Sequence, residues 1–382
     1  MLNKSFLSLF SFLIFSATIL QSPAGWTWSH RGHASICEAA VFLLKEPVLK
    51  EYLQNRPQMM GHLCNVPDIY WKSLGPDVNK NGNPTHFINP DIVGLKIKDV
   101  PSDYKTILEK YTGTDNQFKK GAKIYSIPNE FGSIWWRADQ FVKRAGNLAE
   151  TFAKATPPAN SKEEQDENLL FNKTALDFII NIGVLGHYVG DAAQPIHNTS
   201  DYDGYEAKHG GIHGYFEEIC VGFLEADLVG QIVKTAKSFK KESFLIAPTT
   251  VEKMRALSLL SVQDIPKIYK LDVLVKPSEI NKNSGMEIKT PAVRKDTSKT
   301  AQKMAPLITQ EMARAASLLA QLWDTAYVNA GRPKFNLYKS YKYPFTPEFI
   351  APDYVALENK TNLDNKNKAE VKKETEAPSV SK

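Results

Sequence analysis

The chain has 382 residues, 42% of them hydrophobic and 23% charged, which is the balance of a globular protein and excludes wholesale disorder. Its 47 basic and 42 acidic side chains leave a formal charge of +5 and are spread along the length, so charge alone names no nucleic-acid or membrane partner. Three cysteines, Cys37, Cys64 and Cys220, cannot all pair, which excludes a disulfide scaffold; a single bond between Cys37 and Cys64 is allowed, with Cys220 left over.

In chain order, Lys4 precedes an uncharged apolar stretch from Phe6 to Leu20, followed by the small residues Ser22, Pro23 and Ala24. This pattern predicts an export signal over residues 1–24, shorter than the ~20 apolar residues a membrane span needs. A secreted or periplasmic protein without a transmembrane segment is expected. Apolar residues at spacings of three and four then predict helices over about Gly32 to Leu44, Ser133 to Phe152, Leu169 to Asp191, Gly214 to Phe239, Val251 to Leu260 and Thr300 to Ala330. Between them, Gly75 to Pro84, Thr112 to Lys123, Thr156 to Asp166 and Lys276 to Lys299 are polar and carry glycine or proline, and read as loops. No piece between these loops looks able to bury a core alone. The expectation is one all-α domain over 25–345 with insertions near 87–165 and 270–300, no internal repeat, and a disordered polar tail over 357–382.

The chemistry gathers where the histidines do. His187 and Asp191 stand four apart on a predicted helix, which places them on one face about one turn apart, able to grip one cation. His197 follows just beyond the Pro195 break, and His213 with Glu217 repeats the four-residue spacing. Imidazole and carboxylate are ligands that zinc accepts in hydrolytic sites with a position open to water, and the absence of cysteine from the run argues against a closed structural site. One histidine on a helix is more often a core or capping residue, but two such pairs with a further histidine between them point to metal. His30, His62 and His209 have no such partner and read as surface or locally hydrogen-bonded residues. Asp201 and Asp203 read as loop polarity near the cluster.

The segment His187 to Glu217 resembles the signature of the zinc-dependent phospholipase C and single-strand nuclease superfamily. Trp28 and His33 in WSHRGH, Asp68 in VPDIYW and His86 in HFINPD resemble further motifs of that superfamily. The likeness runs roughly from Trp28 to Cys220. It implies an all-helical fold with two to three zinc ions: one held by Asp68, His86, His187 and Asp191, and a second by His197, His213 and Glu217. Asp191 would bridge to a third, completed by His33 and backbone atoms of Trp28. Cleavage ahead of Gly25 would leave Trp28 internal. Asp77 and Asp91 are rivals of Asp68, which is preferred for the proline before it and the tryptophan after it. Trp135, Trp136 and Arg137 also echo a family segment, although tryptophans at the start of an amphipathic helix usually serve a core.

The resemblance implies a phosphodiesterase using metal-activated water, with Asp68 as the catalytic candidate to orient or deprotonate that water. Glu217 in place of aspartate, and Pro90 with Asp91 after the His86 motif, lean toward the phospholipase branch, whose products are diacylglycerol and a phosphorylated head group. The Trp28 to His33 spacing leans toward a single-strand nuclease or 3′-nucleotidase. A zinc-stabilised binding protein without catalysis is the third reading. The expected partner is a phospholipid or single-stranded nucleic acid, with transient contact to a membrane surface and no obligate protein partner.

Overall fold

The computed structural model describes residues 28–283, 286–337 and 347–355. The expected export signal over 1–24 and the expected polar tail over 357–382 lie outside the described residues. What is described is mostly helical, and its buried side chains form one contiguous apolar core.

The first helix, α1 (Ser29–Leu43), buries His33, Ile36, Ala39 and Ala40 on one face. Three helices follow that open on a proline: α2 (Pro47–Gln54), α3 (Pro57–Ile69) and α4 (Pro76–Gly82). The pyrrolidine ring presets φ for a first helical turn, where an N–H would have no partner anyway. The helix α4 overturns the reading of Gly75 to Pro84 as loop, because Pro76 and Asp77 supply a start signal that outweighs the glycines.

The stretch after His86 holds α5 (Tyr104–Tyr111), whose first-turn amides are met by the Asp103 carboxylate, and α6 (Ile127–Phe131). An isolated bridge joins Ile88 to Gly132. Gly132 takes a left-handed φ of 82°, and a Cβ there would collide with the carbonyl oxygen of Phe87. The predicted helix over 133–152 is two, α7 (Ile134–Gly146) and α8 (Ala149–Lys154). One more helical turn, α9 (Ser161–Gln165), is capped by Asn160 within a predicted loop.

The central element is α10 (Leu170–Ala193), which is buried along most of its length and stops ahead of Pro195, as the sequence predicts. It packs against α1, α3 and α7. The helix expected from Gly214 to Phe239 is broken. It consists of α11 (Ile212–Gly214), a π-helical turn over Tyr215–Ile219, α12 (Cys220–Gly222) and, after a turn, α13 (Leu228–Ala236). Gly222 weakens the run, and Asp227 starts the next helix by accepting a hydrogen bond from the Gly230 amide. Then come α14 (Ser243–Ile246), α15 (Thr250–Val262) with a Thr249/Glu252 capping box, α16 (Ile265–Leu271) and the long α17 (Thr297–Asn329), which also packs on α10 and α1.

Between α16 and α17 the predicted loop from Lys276 is a ribbon. Its strands are β1 (Leu274–Lys276), β2 (Glu279–Asn283), β3 (Met286–Thr290) and β4 (Val293–Arg294), paired β1 with β4 and β2 with β3, both antiparallel. The polar, exposed β2 and β3 carry too few apolar residues for alternation to reveal them as strands. Among the described residues no helix is long and apolar enough to cross a membrane.

A disulfide joins Cys37 of α1 to Cys64 of α3, and Cys220 is free and buried. The bond lies against Gly186 of α10, where a Cβ would collide with Cys37 Sγ and sit 3.0 Å from Cys64 Sγ. Gly186→Ala is therefore expected to lower stability by about 1–3 kcal/mol through overpacking, measured by urea unfolding. An unchanged midpoint would show that the three helices do not meet at the disulfide.

Candidate metal centre

Helix α1 brings His33, α3 brings Asp68, and the turn after α4 brings His86. Helix α10 adds His187 and Asp191, and the 3-10 turn Pro195–Asn198 adds His197. The segment from α11 into the π turn adds His213 and Glu217. All eight are buried. They form three groups whose ligand atoms lie within 4.8 Å of one another: His33 with Asp68 and His187; His86 with His187 and Asp191; His197 with His213 and Glu217.

Backbone carbonyls set the ring chemistry. His187 Nδ1 donates to Cys64 O at 2.9 Å, and His197 Nδ1 donates to His86 O at 2.7 Å. A carbonyl only accepts, so these nitrogens carry the hydrogen, and each neutral ring presents a bare Nε2 to the interior. His187 Nε2 lies 2.8 Å from His86 Nδ1, 3.2 Å from Asp191 Oδ2 and 3.6 Å from Asp68 Oδ1. His197 Nε2 lies 2.8 Å from His213 Nε2, which is 3.1 Å from Glu217 Oε2. Lone pairs thus face lone pairs and carboxylate oxygens, which only a proton or a cation makes attractive. Asp191 faces both ways, with Oδ2 3.0 Å from His86 Nδ1 and Oδ1 3.3 Å from His33 Nε2.

Three buried carboxylates would be costly without positive charge. Lys72 supplies the one ammonium that ion-pairs with them among the described residues, with Nζ 2.6 Å from Asp68 Oδ1. Glu217 Oε2 accepts from Gln194 Nε2 at 2.9 Å, while Oε1 is buried with no hydrogen-bond partner among the described residues. Burial by itself would raise each carboxyl, but its neighbours prevail. His187 and His197 hold Asp191 well below its ordinary value, and His187, Lys72 and His86 do the same for Asp68. His213 and His197 hold Glu217 at about 2. His86, dominated by its own burial, falls to about 4, whereas His197 is carried up to about 9 by Asp191 and Glu217 against its burial. The three carboxylates are therefore ionised at neutral pH. Buried His, Asp and Glu groups of this kind can hold metal ions.

Every side-chain ligand the sequence nominated stands in this locus, including Asp68. Its rival Asp91 is committed to Thr199 and Ser200, and Asp77 is exposed in α4. Trp28 contributes a buried indole whose Nε1 donates to Gly190 O at 2.7 Å, next to Asp191. His209 lies outside, bonded to Asp272 at 2.9 Å and stacked on Tyr269. Trp135 and Trp136 are core residues bonded to Ser258 and Ser102. Comparison with family models finds no match to this chain, and comparison with curated proteins finds none either.

The locus floors a cleft of about 530 Å³ onto which His86, His197 and His213 open. Its walls are apolar at Phe87, Ile92 and Phe118 and neutral at Asn83, Asn89 and Asn116, with Lys72 and Lys119 as its cations and Glu130 as a carboxylate on the wall. The sequence reading missed these wall residues. Lys72 had a signal, being four residues from Asp68 on the same helical path. Phe118 and Asn116 had none, since only the packing of the segment after His86 brings them to the rim.

His187→Ala and Asp191→Ala are expected to lose bound divalent metal, measured by elemental analysis after dialysis, whereas His209→Ala keeps the wild-type complement. Equal metal in all three would contradict the assignment. A histidine raised from 6.5 to about 9 contributes stability that is complete below 6.5 and is lost as pH rises through 9. Burial raises Glu311, remote from the site, to about 8, which adds an alkaline loss of its own, so the diagnostic is a difference. Chelated protein is expected to lose more melting temperature between pH 6.5 and 9 than metal-loaded protein, in which a cation replaces the His197 proton. Parallel pH profiles would refute that exchange.

Proposed function

We propose that the protein is a zinc-dependent phosphodiesterase of phospholipase C type, cleaving glycerophospholipids to diacylglycerol and a phosphorylated head group. The observation that carries this reading is the convergence of imidazole nitrogens and ionised carboxylates at the floor of a cleft whose walls are apolar and amide side chains with the Glu130 carboxylate among them. The donor set fits zinc: nitrogen and oxygen only, with tautomers fixed by carbonyls from behind. Asp68, His86, His187 and Asp191 would hold one ion, His197, His213 and Glu217 a second, and His33 with Asp191 a third. Bound there, zinc supplies the Lewis acidity and water activation that phosphodiester hydrolysis requires.

The chain's own groups do the rest. Asp68, held far below its ordinary pKa, accepts hydrogen bonds readily and takes up a proton poorly, so it orients the attacking water more than it stores its proton. Lys72, at the same rim, fixes Asp68 and offers positive charge to a phosphate. Phe87, Ile92 and Phe118 favour the apolar part of a lipid. Two lysines and no arginine line the cleft, a weak track for a nucleic-acid backbone.

Phosphatidylcholine vesicles and single-stranded DNA, each offered with and without chelator, test the reading. Chelator-sensitive release of head-group phosphate from lipid alone is expected, and cleavage of DNA alone would replace it with the nuclease reading. Bound zinc with no turnover of either substrate, or of bis-p-nitrophenyl phosphate, would leave a metal-stabilised binding protein. Asp68→Asn is expected to lower kcat by roughly 10²- to 10⁴-fold.

A further inference from the structure

Arg31 joins two parts of the metal centre without entering it. It stands on α1 two residues before His33, and its guanidinium lies at the end of the helical run of α11, the π turn and α12, which carries His213 and Glu217. Its Nη1 donates to Val221 O at 2.8 Å, to Leu224 O at 3.0 Å and, more weakly, to Gly222 O at 3.4 Å, while Nη2 donates to Glu225 O. The last carbonyls of a helix have no partner inside it, so a charged fork of N–H donors is favourable at that end. Arg31 is not among the side chains lining the cleft. Its route to the centre runs through these carbonyls.

The run it holds depends on its two ends. A π turn fills its middle, and α12 beyond that turn stops at Gly222 after three residues. The start is tied down, since the Gly210 amide donates to Ser278 Oγ at 2.8 Å and Gly210 O accepts from the Ala292 amide at 3.0 Å. The end is held by Arg31. Between these anchors sits Glu217, four residues before Val221. Its Oε2 accepts from Gln194 Nε2 at 2.9 Å, and its Oε1 is buried with no hydrogen-bond partner among the described residues. One donated hydrogen bond leaves the aim of that carboxylate largely to its backbone. Helix α1 is a firm base for the clamp: the disulfide ties it to α3, the Trp28 indole just before it donates to Gly190 O at 2.7 Å, and His33 Nε2 lies 3.3 Å from Asp191 Oδ1.

We propose that Arg31 is a positioning residue of the metal centre. By clamping the carbonyls of 221–225 to the helix of His33, it fixes Glu217 relative to Asp191 and so sets the affinity for the ion that His197, His213 and Glu217 would hold. The proposal rests on the reading of this centre as a zinc site, and it concerns binding, whichever phosphodiester is the substrate.

The test titrates zinc into chelated full-length protein against a competing chelator. Arg31→Met is expected to weaken one zinc equivalent on the order of tenfold and to leave the others as in the wild type. Glu217→Gln is expected to weaken the same equivalent, and the double variant Arg31→Met/Glu217→Gln to be little weaker than Glu217→Gln alone, because a residue that acts through another then has nothing to act on. A general loss of stability would instead loosen every equivalent and add to the effect of Glu217→Gln. Gly222 O and Glu225 O are exposed enough for water to replace the guanidinium, so Arg31→Met is expected to fold, which melting of the chelated proteins checks. Arg31→Lys keeps the charge but not the fork and is expected to fall between wild type and Arg31→Met; it carries the test alone should Arg31→Met not fold, and wild-type affinity would then count against the clamp. Zinc held by Arg31→Met as tightly as by the wild type, or additive losses in the double variant, would overturn the clamp and leave the zinc reading intact. A wild type that retains no zinc would overturn the zinc reading itself, and the clamp with it.

Discussion

The burial of three carboxylates among five imidazoles organises the rest of this molecule. Asp68, Asp191 and Glu217 are buried, and a single lysine ion-pairs with them among the described residues. Such a cluster persists only when surrounding structure prevents its members from turning away and when positive charge arrives to offset their repulsion. The carbonyls of Cys64 and His86 perform the first task by fixing two rings from behind. Divalent cations would perform the second. Asp191 and Glu217 carry the pKa of His197 up to about 9 against its burial, which shows how strongly the carboxylates favour a positive charge at that ring.

Rigidity behind the cluster follows from the packing of α1, α3 and α10. The Cys37–Cys64 disulfide ties the helix of His33 to that of Asp68, and Gly186 lets the helix of His187 lie against the bond. On another side Arg137 is fully buried and lies over the rings of Phe141 and Tyr188 at 4.7 and 5.3 Å, while it donates to Gln140 and to Ile350 O. Tyr188 follows His187 directly, so this aromatic shell backs the ligand helix. The π turn that carries Glu217 has the same local character, a departure from the regular helix at the position where a ligand must be aimed.

The cleft and the ribbon are made from the segments least regular in sequence. The stretch after His86 builds one wall through Asn116 and Phe118, and the loop before His213 builds another through Ser200 and Tyr202. The ribbon braces the second wall through Arg294 and Ser278. A regular helical body therefore holds the ligands, and irregular insertions shape what can reach them, which is a common division of labour between scaffold and loops.

What the sequence determined by itself is whatever repeats at short range. Spacings of three and four marked α1, α10, α15 and α17, Pro195 marked the end of α10, and the pairs His187/Asp191 and His213/Glu217 were legible because one helical turn places them together. The break at Phe223, the helix at Pro76 and the ribbon after Leu274 were misread, since weak local signals there compete with glycine, proline and polar residues that resemble loop. Motif resemblance had nominated Asp68 over Asp91 and Asp191 as a neighbour of His33, but only tertiary structure decided the distances at which these groups meet, that Asp91 is committed to Thr199 and Ser200, and that Phe118 reaches the cleft. Those outcomes depend on contacts between residues far apart in the chain, and no local pattern encodes the distance at which two packed helices leave their side chains.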